Sequence, residues 1–137
     1  MIMESRTRLA TLPLAQTFIQ TKVIKFLESV GRNSRQSTRI YGFGLSHFQG
    51  FLYNEYGSSC NVDSIVDSLT TNDINVYTLL DNFVSYLRGN GESSKLSANS
   101  IALYVAAVRS YLAYYDIDIV PAKFKRRVKL PKNHRED

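Results

Sequence analysis

Basic and hydroxyl side chains gather at two places where the sequence predicts that a helix begins. The first group is Arg32, Ser34, Arg35, Ser37 and Arg39, and the second is Lys95, Ser97, Asn99 and Ser100. Helix starts carry unpaired amides and a partial positive charge, and these side chains add donors that suit phosphate oxygens and base edges. The pattern is typical of a surface that binds nucleic acid, but ordinary helix capping with a solvated basic rim explains it equally well.

A third group of cations lies near the C-terminus. The net charge is +5, and the stretch between Ile40 and Leu87 contains no Lys or Arg. Charge that is segregated in this way produces a one-sided field, for which a polyanion is the natural partner. A membrane surface is the weaker candidate, because the basic runs lack a long apolar face. The C-terminal cations are Lys123, Lys125, Arg126, Arg127, Lys129, Lys132 and Arg135.

The sequence offers no constellation for catalysis. His47 and His134 are far apart, Cys60 has no nearby base, and neither a Gly-rich phosphate loop nor a pair of catalytic carboxylates is present. Asp63 and Asp67 are one helical turn apart, but two carboxylates without a third oxygen ligand make a weak cation site. We therefore expect a chain that is not an enzyme and that uses no metal or cofactor.

Apolar residues at helical spacing predict the elements that carry these groups. The clearest row is Ile101, Val105, Val108, Leu112 and Tyr115, behind an N-cap at Ser97. Similar rows predict helices over residues 14–30, 34–56 and 73–88. Residues 57–72 are predicted to be a polar linker with one short apolar turn.

The predicted fold is all-α, an orthogonal bundle of four to five helices. We expect a flexible arm over residues 1–12, a helical domain over 13–120, and a basic exit segment over 121–137 that begins with a short helix or turn. In the second helix Gly42, Gly44 and Gly50 each cost about 1 kcal/mol relative to Ala. We interpret them as sites where another helix approaches closely, rather than as a break.

Length and composition agree with one domain inside the cell. The chain has 137 residues and 44% hydrophobic residues, which is enough to bury a core. A single cysteine excludes an internal disulfide and suits a reducing cytoplasm. No apolar run approaches the length of a membrane span, so we expect a cytoplasmic protein that does not enter a membrane.

Several of these segments together resemble the N-terminal core-binding domain of tyrosine recombinases, the phage integrase and Xer-like family. The family's helix pattern S-x-x-T/S-x-x-x-Y-x-x-x-L-x-x-F is matched here by Ser34, Ser37, Tyr41, Leu45 and Phe48. A later family helix is similar to the segments 97–101 and 107–114. Residues 79–93 resemble the third helix and its turn, and residues 128–132 resemble the exit into the catalytic domain. The resemblance covers residues 14 to 133.

The resemblance implies a SAM-like bundle that clamps one face of duplex DNA for site-specific recombination and integration. The two helix starts, side by side, would face the major groove, and the basic exit segment would follow the backbone. The family's catalytic residues lie in a following domain that this chain is too short to contain. The resemblance further implies a fragment or a truncated relative that assembles with other recombinase protomers and, in a prokaryote, associates with the nucleoid. Groove-facing candidates are Arg35, Arg39, Lys95, Asn99 and Ser100; phosphate-facing candidates are Lys123, Lys125, Arg126, Arg127 and Lys129.

A second hypothesis needs no nucleic acid. The chain would be a helical protein-interaction module whose basic tail binds an acidic partner, or whose helices self-associate. A free-standing transcription regulator fits less well, because no compact helix-turn-helix pair is found in the sequence.

Overall fold

The computed structural model describes residues 21–89 and 96–132, which form six α-helices. No strand occurs within these two ranges, so the prediction of an all-α chain is confirmed for them. Residues 1–20, 90–95 and 133–137 lie outside the described ranges, and with them the predicted N-terminal arm and the first turns of the predicted first helix. The helices are α1 (Thr21–Gly31), α2 (Arg35–Tyr56), α3 (Val62–Thr70), α4 (Val76–Arg88), α5 (Ala98–Tyr114) and α6 (Pro121–Arg127).

Side-chain caps fix where most of these helices begin. The Ser34 hydroxyl accepts from the Ser37 amide ahead of α2, and the Ser97 hydroxyl accepts from the Ser100 amide ahead of α5. Asn75 accepts from two amides ahead of α4, so that this helix begins later than residue 73, where the sequence placed it. Each cap satisfies amides that the first helical turn leaves without a partner.

The predicted apolar rows form one core. Leu45, Phe48 and Leu52 of α2 are fully buried, and the rings of Phe48, Phe51 and Phe83 join α2 to α4. The row of α5 is buried from Ile101 to Leu112, whereas its last predicted member, Tyr115, is half-buried.

The prediction of a linker over residues 57–72 is wrong, because α3 occupies most of it. Asn61 and Ser64 form a reciprocal capping box in which each side chain accepts from the other residue's amide. Behind this box four apolar side chains of α3 are buried in the common core: Val62, Ile65, Val66 and Leu69. The short helix is held by packing rather than by its own propensity.

Close approach of α2 and α5 explains one of the three glycines of α2. A Cβ at Gly44 would lie 2.7 Å from the Ala107 Cβ and 3.3 Å from the Tyr104 carbonyl oxygen. A Cβ at Gly50 would lie 3.0 Å from the Tyr86 hydroxyl, whereas one at Gly42 would meet nothing within 4 Å. The helix continues unbroken through all three, and Gly44 is the residue that the packing requires.

Candidate nucleic-acid interface

The start of α2 presents three exposed arginines, which we call the α2 cluster: Arg32, Arg35 and Arg39. The hydroxyls beside them take part in local structure. Ser34 caps the helix, Ser37 is half-buried and supplies the capped amide, and Thr38 donates to the Ser34 carbonyl at 3.1 Å. No acidic residue lies in the first turn. The arginines are therefore the charged groups that this start directs to solvent.

The described part of the start of α5 carries hydroxyl and amide side chains. Ser97 and Ser100 are joined by two hydrogen bonds, the amide contact at 3.0 Å and a hydroxyl contact at 3.2 Å. Asn99 is exposed. Lys95, the cation predicted here, lies outside the described residues. The described part of this start thus offers one exposed amide side chain and no charge.

The two helix starts do not lie side by side. Gly44 of α2 lies against Ala107 and Tyr104 of α5. His47, one turn later in α2, stacks on Tyr104 at 4.8 Å, so a later residue of α2 contacts an earlier part of α5. The helices therefore run antiparallel. At about 1.5 Å per residue, Ser34 lies roughly 15 Å to one side of this crossing and Ser97 roughly 10 Å to the other.

Five exposed cations, which we call the α6 cluster, lie on or directly after α6 and are fixed to the bundle. Phe124 and Val128 are 8% and 4% exposed, and the Arg109 guanidinium of α5 lies over the Phe124 ring at 4.0 Å. The segment expected to serve as an exit therefore packs on the bundle as far as Leu130. The cluster consists of Lys123, Lys125, Arg126, Arg127 and Lys129.

Two residues of α4 hold the ends of this segment. The Val120 amide donates to the Tyr77 hydroxyl at 2.9 Å, and the Lys129 amide donates to the Asp81 carboxylate at 3.1 Å. The Arg127 guanidinium lies 5.7 Å from the centre of the Tyr77 ring. Backbone and side chains together set where the cations of the α6 cluster stand.

The α2 and α6 clusters both lie near the C-terminal half of α5. Phe26 of α1 contacts Tyr41 near the start of α2 and also Tyr111 and Tyr114 near the end of α5. Arg109, in the same half of α5, contacts Phe124 of α6. An open groove follows this half, and Asp116 and Asp118 line it with Arg109. The groove beside the anchor of α6 therefore carries acidic side chains.

An exposed apolar patch on the α2–α5 crossing was not predicted. Phe43 is 45% exposed and Leu103 is 43% exposed, and they precede Gly44 and Tyr104, the residues at the closest approach. His47, one turn after Phe43, is half-buried against Tyr104, and burial lowers the pKa of its imidazole. The only sequence signal was an apolar residue off the core face of each helix.

The remaining candidates for catalysis or metal binding are Asp63, Cys60 and His134. The Asp63 carboxylate accepts from the Lys22 and Val23 amides at 3.0 and 3.2 Å and so caps α1. Within the described ranges no group of three His, Cys, Asp or Glu side chains is placed to hold a metal ion. Cys60 is half-buried, and burial raises the pKa of its thiol. His134 lies outside the described residues.

None of the helices in the described ranges combines the length and the apolar character that a membrane span requires. Comparison with protein-family models, with curated proteins and with solved structures gave no match.

Proposed function

We propose that this chain is a DNA-binding domain that holds duplex DNA through its two basic clusters. It would act as the core-binding domain of a site-specific tyrosine recombinase, of the kind that its sequence motifs resemble. The α2 cluster would contact the backbone and groove edge, and the α6 cluster would contact phosphates. Lys95, Asn99 and Ser100 would meet the duplex at a separate position, since their helix start lies at the other end of the α2–α5 pair.

The fixed position of the α6 cluster carries this proposal. A basic tail that moves freely loses backbone entropy when it binds. Cations on a backbone that is already fixed lose less entropy. Buried Phe124 and the bonds to Tyr77 and Asp81 hold the five cations toward solvent. Such preorganised charge suits a regular polyanion better than it suits a disordered acidic peptide.

The salt dependence of binding to a fluorescent duplex tests the proposal. If five to eight phosphates are neutralised, log K should fall against log salt with a slope of about −4.5 to −7. A flat dependence, or no binding at low salt, would refute it.

Charge-reversal pairs locate the contact. We expect Arg35→Glu with Arg39→Glu, and Lys125→Glu with Arg126→Glu, each to abolish a gel shift. The matched control is Lys25→Glu with Arg88→Glu, which changes the net charge equally at exposed positions outside both clusters. If the control weakens binding as much as the test pairs do, net charge alone governs binding and the assigned surface is wrong.

The exposed apolar residues of α2 favour a second candidate, a helical protein-interaction module. Tyr53 is 61% exposed and Phe43 is 45% exposed on the same helix. This function predicts self-association or tight protein binding without affinity for duplex DNA. Light scattering of the purified chain, run beside the salt titration, separates the two.

A further inference from the structure

The exposed patch formed by Phe43 and Leu103 has no partner in the core. Leu45, Phe48 and Leu52 direct the opposite side of α2 into the core, and Ile101, Val105 and Val108 do the same for α5. Two adjacent helices that share one core expose their outer sides in the same direction. Phe43 and Leu103 therefore project together from the outer side of the crossing.

Arginines of the α2 cluster continue this patch toward the start of α2. Arg35, Arg39, Phe43 and His47 recur at every fourth residue, so neighbouring members lie one turn apart and form a stripe that winds slowly around the helix. At about 1.5 Å per residue, Arg35 and Phe43 are roughly 12 Å apart along the axis, a span of three to four base-pair steps. A large apolar side chain in line with two arginines is poorly suited to an acidic protein surface alone. It suits a polyanion that also offers apolar groups.

The major groove of DNA is such a partner. Its walls are phosphates, and each A·T pair places the C5-methyl group of thymine on its floor, where Phe and other apolar side chains contact it. His47 beside the patch stacks on Tyr104, and its lowered pKa leaves it uncharged at neutral pH, so the stripe is cationic only at its Arg35–Arg39 end. We infer that Phe43 and Leu103 read thymine methyl groups in the major groove while Arg35 and Arg39 hold the adjacent phosphates. This inference rests on the proposed function and adds a base preference to it.

Replacing thymine by uracil removes the methyl group and leaves base pairing and charge unchanged. We expect the full chain to bind an A·T-rich duplex about fourfold more weakly for each contacted methyl removed, which corresponds to about 0.8 kcal/mol. The complementary probe is a G·C-rich duplex in which 5-methylcytosine replaces cytosine. It adds a methyl group at the same position in the groove and should bind more tightly than its unmethylated form.

Three variants test which side chains are responsible for the response to the methyl groups. Phe43→Ala and Leu103→Ala change exposed side chains, and each should reduce the response to both methyl probes while leaving the salt slope unchanged. Tyr53→Ala removes an exposed aromatic ring ten residues further along the same helix, roughly 15 Å from Phe43 along the axis, and should retain the full response.

Three outcomes would contradict the inference, and one of them would also contradict the proposed function. Equal affinity of the unaltered chain for thymine and uracil duplexes overturns the inference and leaves the proposed function standing. A full methyl response in both Phe43→Ala and Leu103→Ala also overturns it, because the methyl groups would then be read elsewhere. If no duplex binds at all, the proposed function fails together with the inference.

Discussion

Two buried side chains, Tyr111 of α5 and Gln49 of α2, form hydrogen bonds with the first residue of α3. The Tyr111 hydroxyl donates to the Val62 carbonyl at 2.9 Å, and the Gln49 carbonyl oxygen accepts from the Val62 amide at 3.1 Å. Val62 is the first residue of α3, where an amide has no partner within its own helix. Burial, followed by the charge of Asp63, raises the pKa of Tyr111. The raised pKa favours the neutral phenol, which is the form that donates this hydrogen bond.

Tyr111→Phe should lower the free energy of unfolding by about 0.5–1.5 kcal/mol, because the buried hydrogen bond to the Val62 carbonyl is lost while the ring packing stays. Urea unfolding followed by circular dichroism measures the change. Tyr53→Phe, at a residue that is 61% exposed, is the control and should change the stability by less than about 0.5 kcal/mol. Equal effects of the two variants would mean that the Tyr111 hydroxyl adds nothing to stability.

Gly42 and Gly44 allow the same substitution to be compared in two environments. Alanine at Gly44 would clash with Ala107 and the Tyr104 backbone, and overpacking of this kind costs about 1–3 kcal/mol. Alanine at Gly42 meets open space, so we expect a gain of up to about 1 kcal/mol from helix propensity. Thermal and urea unfolding of both variants gives the signs. If both stabilise the chain, the close helix crossing at Gly44 is wrong.

At the scale of helices, the sequence predicted the helix ends that depend on interactions between neighbouring residues. Ser34 and Ser97 cap their helices as the sequence indicated, and Gly57 follows the last residue of α2. Helix α3 was missed because Ser, Asp and Thr dominate its composition, although Asn61 and Ser64 form a capping box that the sequence contains. Burial of its four apolar residues depends on α1 and α2, which no local window includes.

Helix α3 also stabilises α1 through Asp63, forty residues from the amides that it caps. Asp63→Ala should cost about 0.5–2 kcal/mol, the usual range for a lost N-cap. Asp63→Asn retains an acceptor oxygen and should cost less. Asp67→Ala, at an exposed position of the same helix, is the control. Equal unfolding free energies for Asp63→Ala and Asp67→Ala would argue against a capping role.

At the scale of the molecule, charge segregation was visible in the sequence but its arrangement was not. Arg35 and Lys125 belong to clusters that the sequence already separated from the acidic middle. Two features depended on contacts between distant segments: the antiparallel crossing at Gly44, and the anchoring of α6 by Arg109 and Tyr77. These contacts decide where the basic clusters stand, and they join residues fifteen or more positions apart.

Anchoring of α6 can be tested without altering any charge. Phe124→Ala removes the ring that Arg109 covers, so α6 should detach and trypsin should cleave between Lys123 and Lys129 faster than in the unaltered chain. Val120→Ala, at an exposed residue ahead of α6, is the matched control and should cleave at the original rate. Unchanged cleavage at Arg39 in α2 confirms that the rest of the bundle is intact.

The same variant links anchoring to binding. If the α6 cluster acts because it is preorganised, Phe124→Ala should weaken duplex binding about tenfold through the cost of ordering the segment, since each ordered residue costs roughly 1–2 kcal/mol of backbone entropy. The slope against salt should stay the same, because the same phosphates are neutralised in the complex. Faster cleavage with unaltered affinity would mean that the cations act as a loose tail, and the fixed position of α6 would no longer support DNA binding.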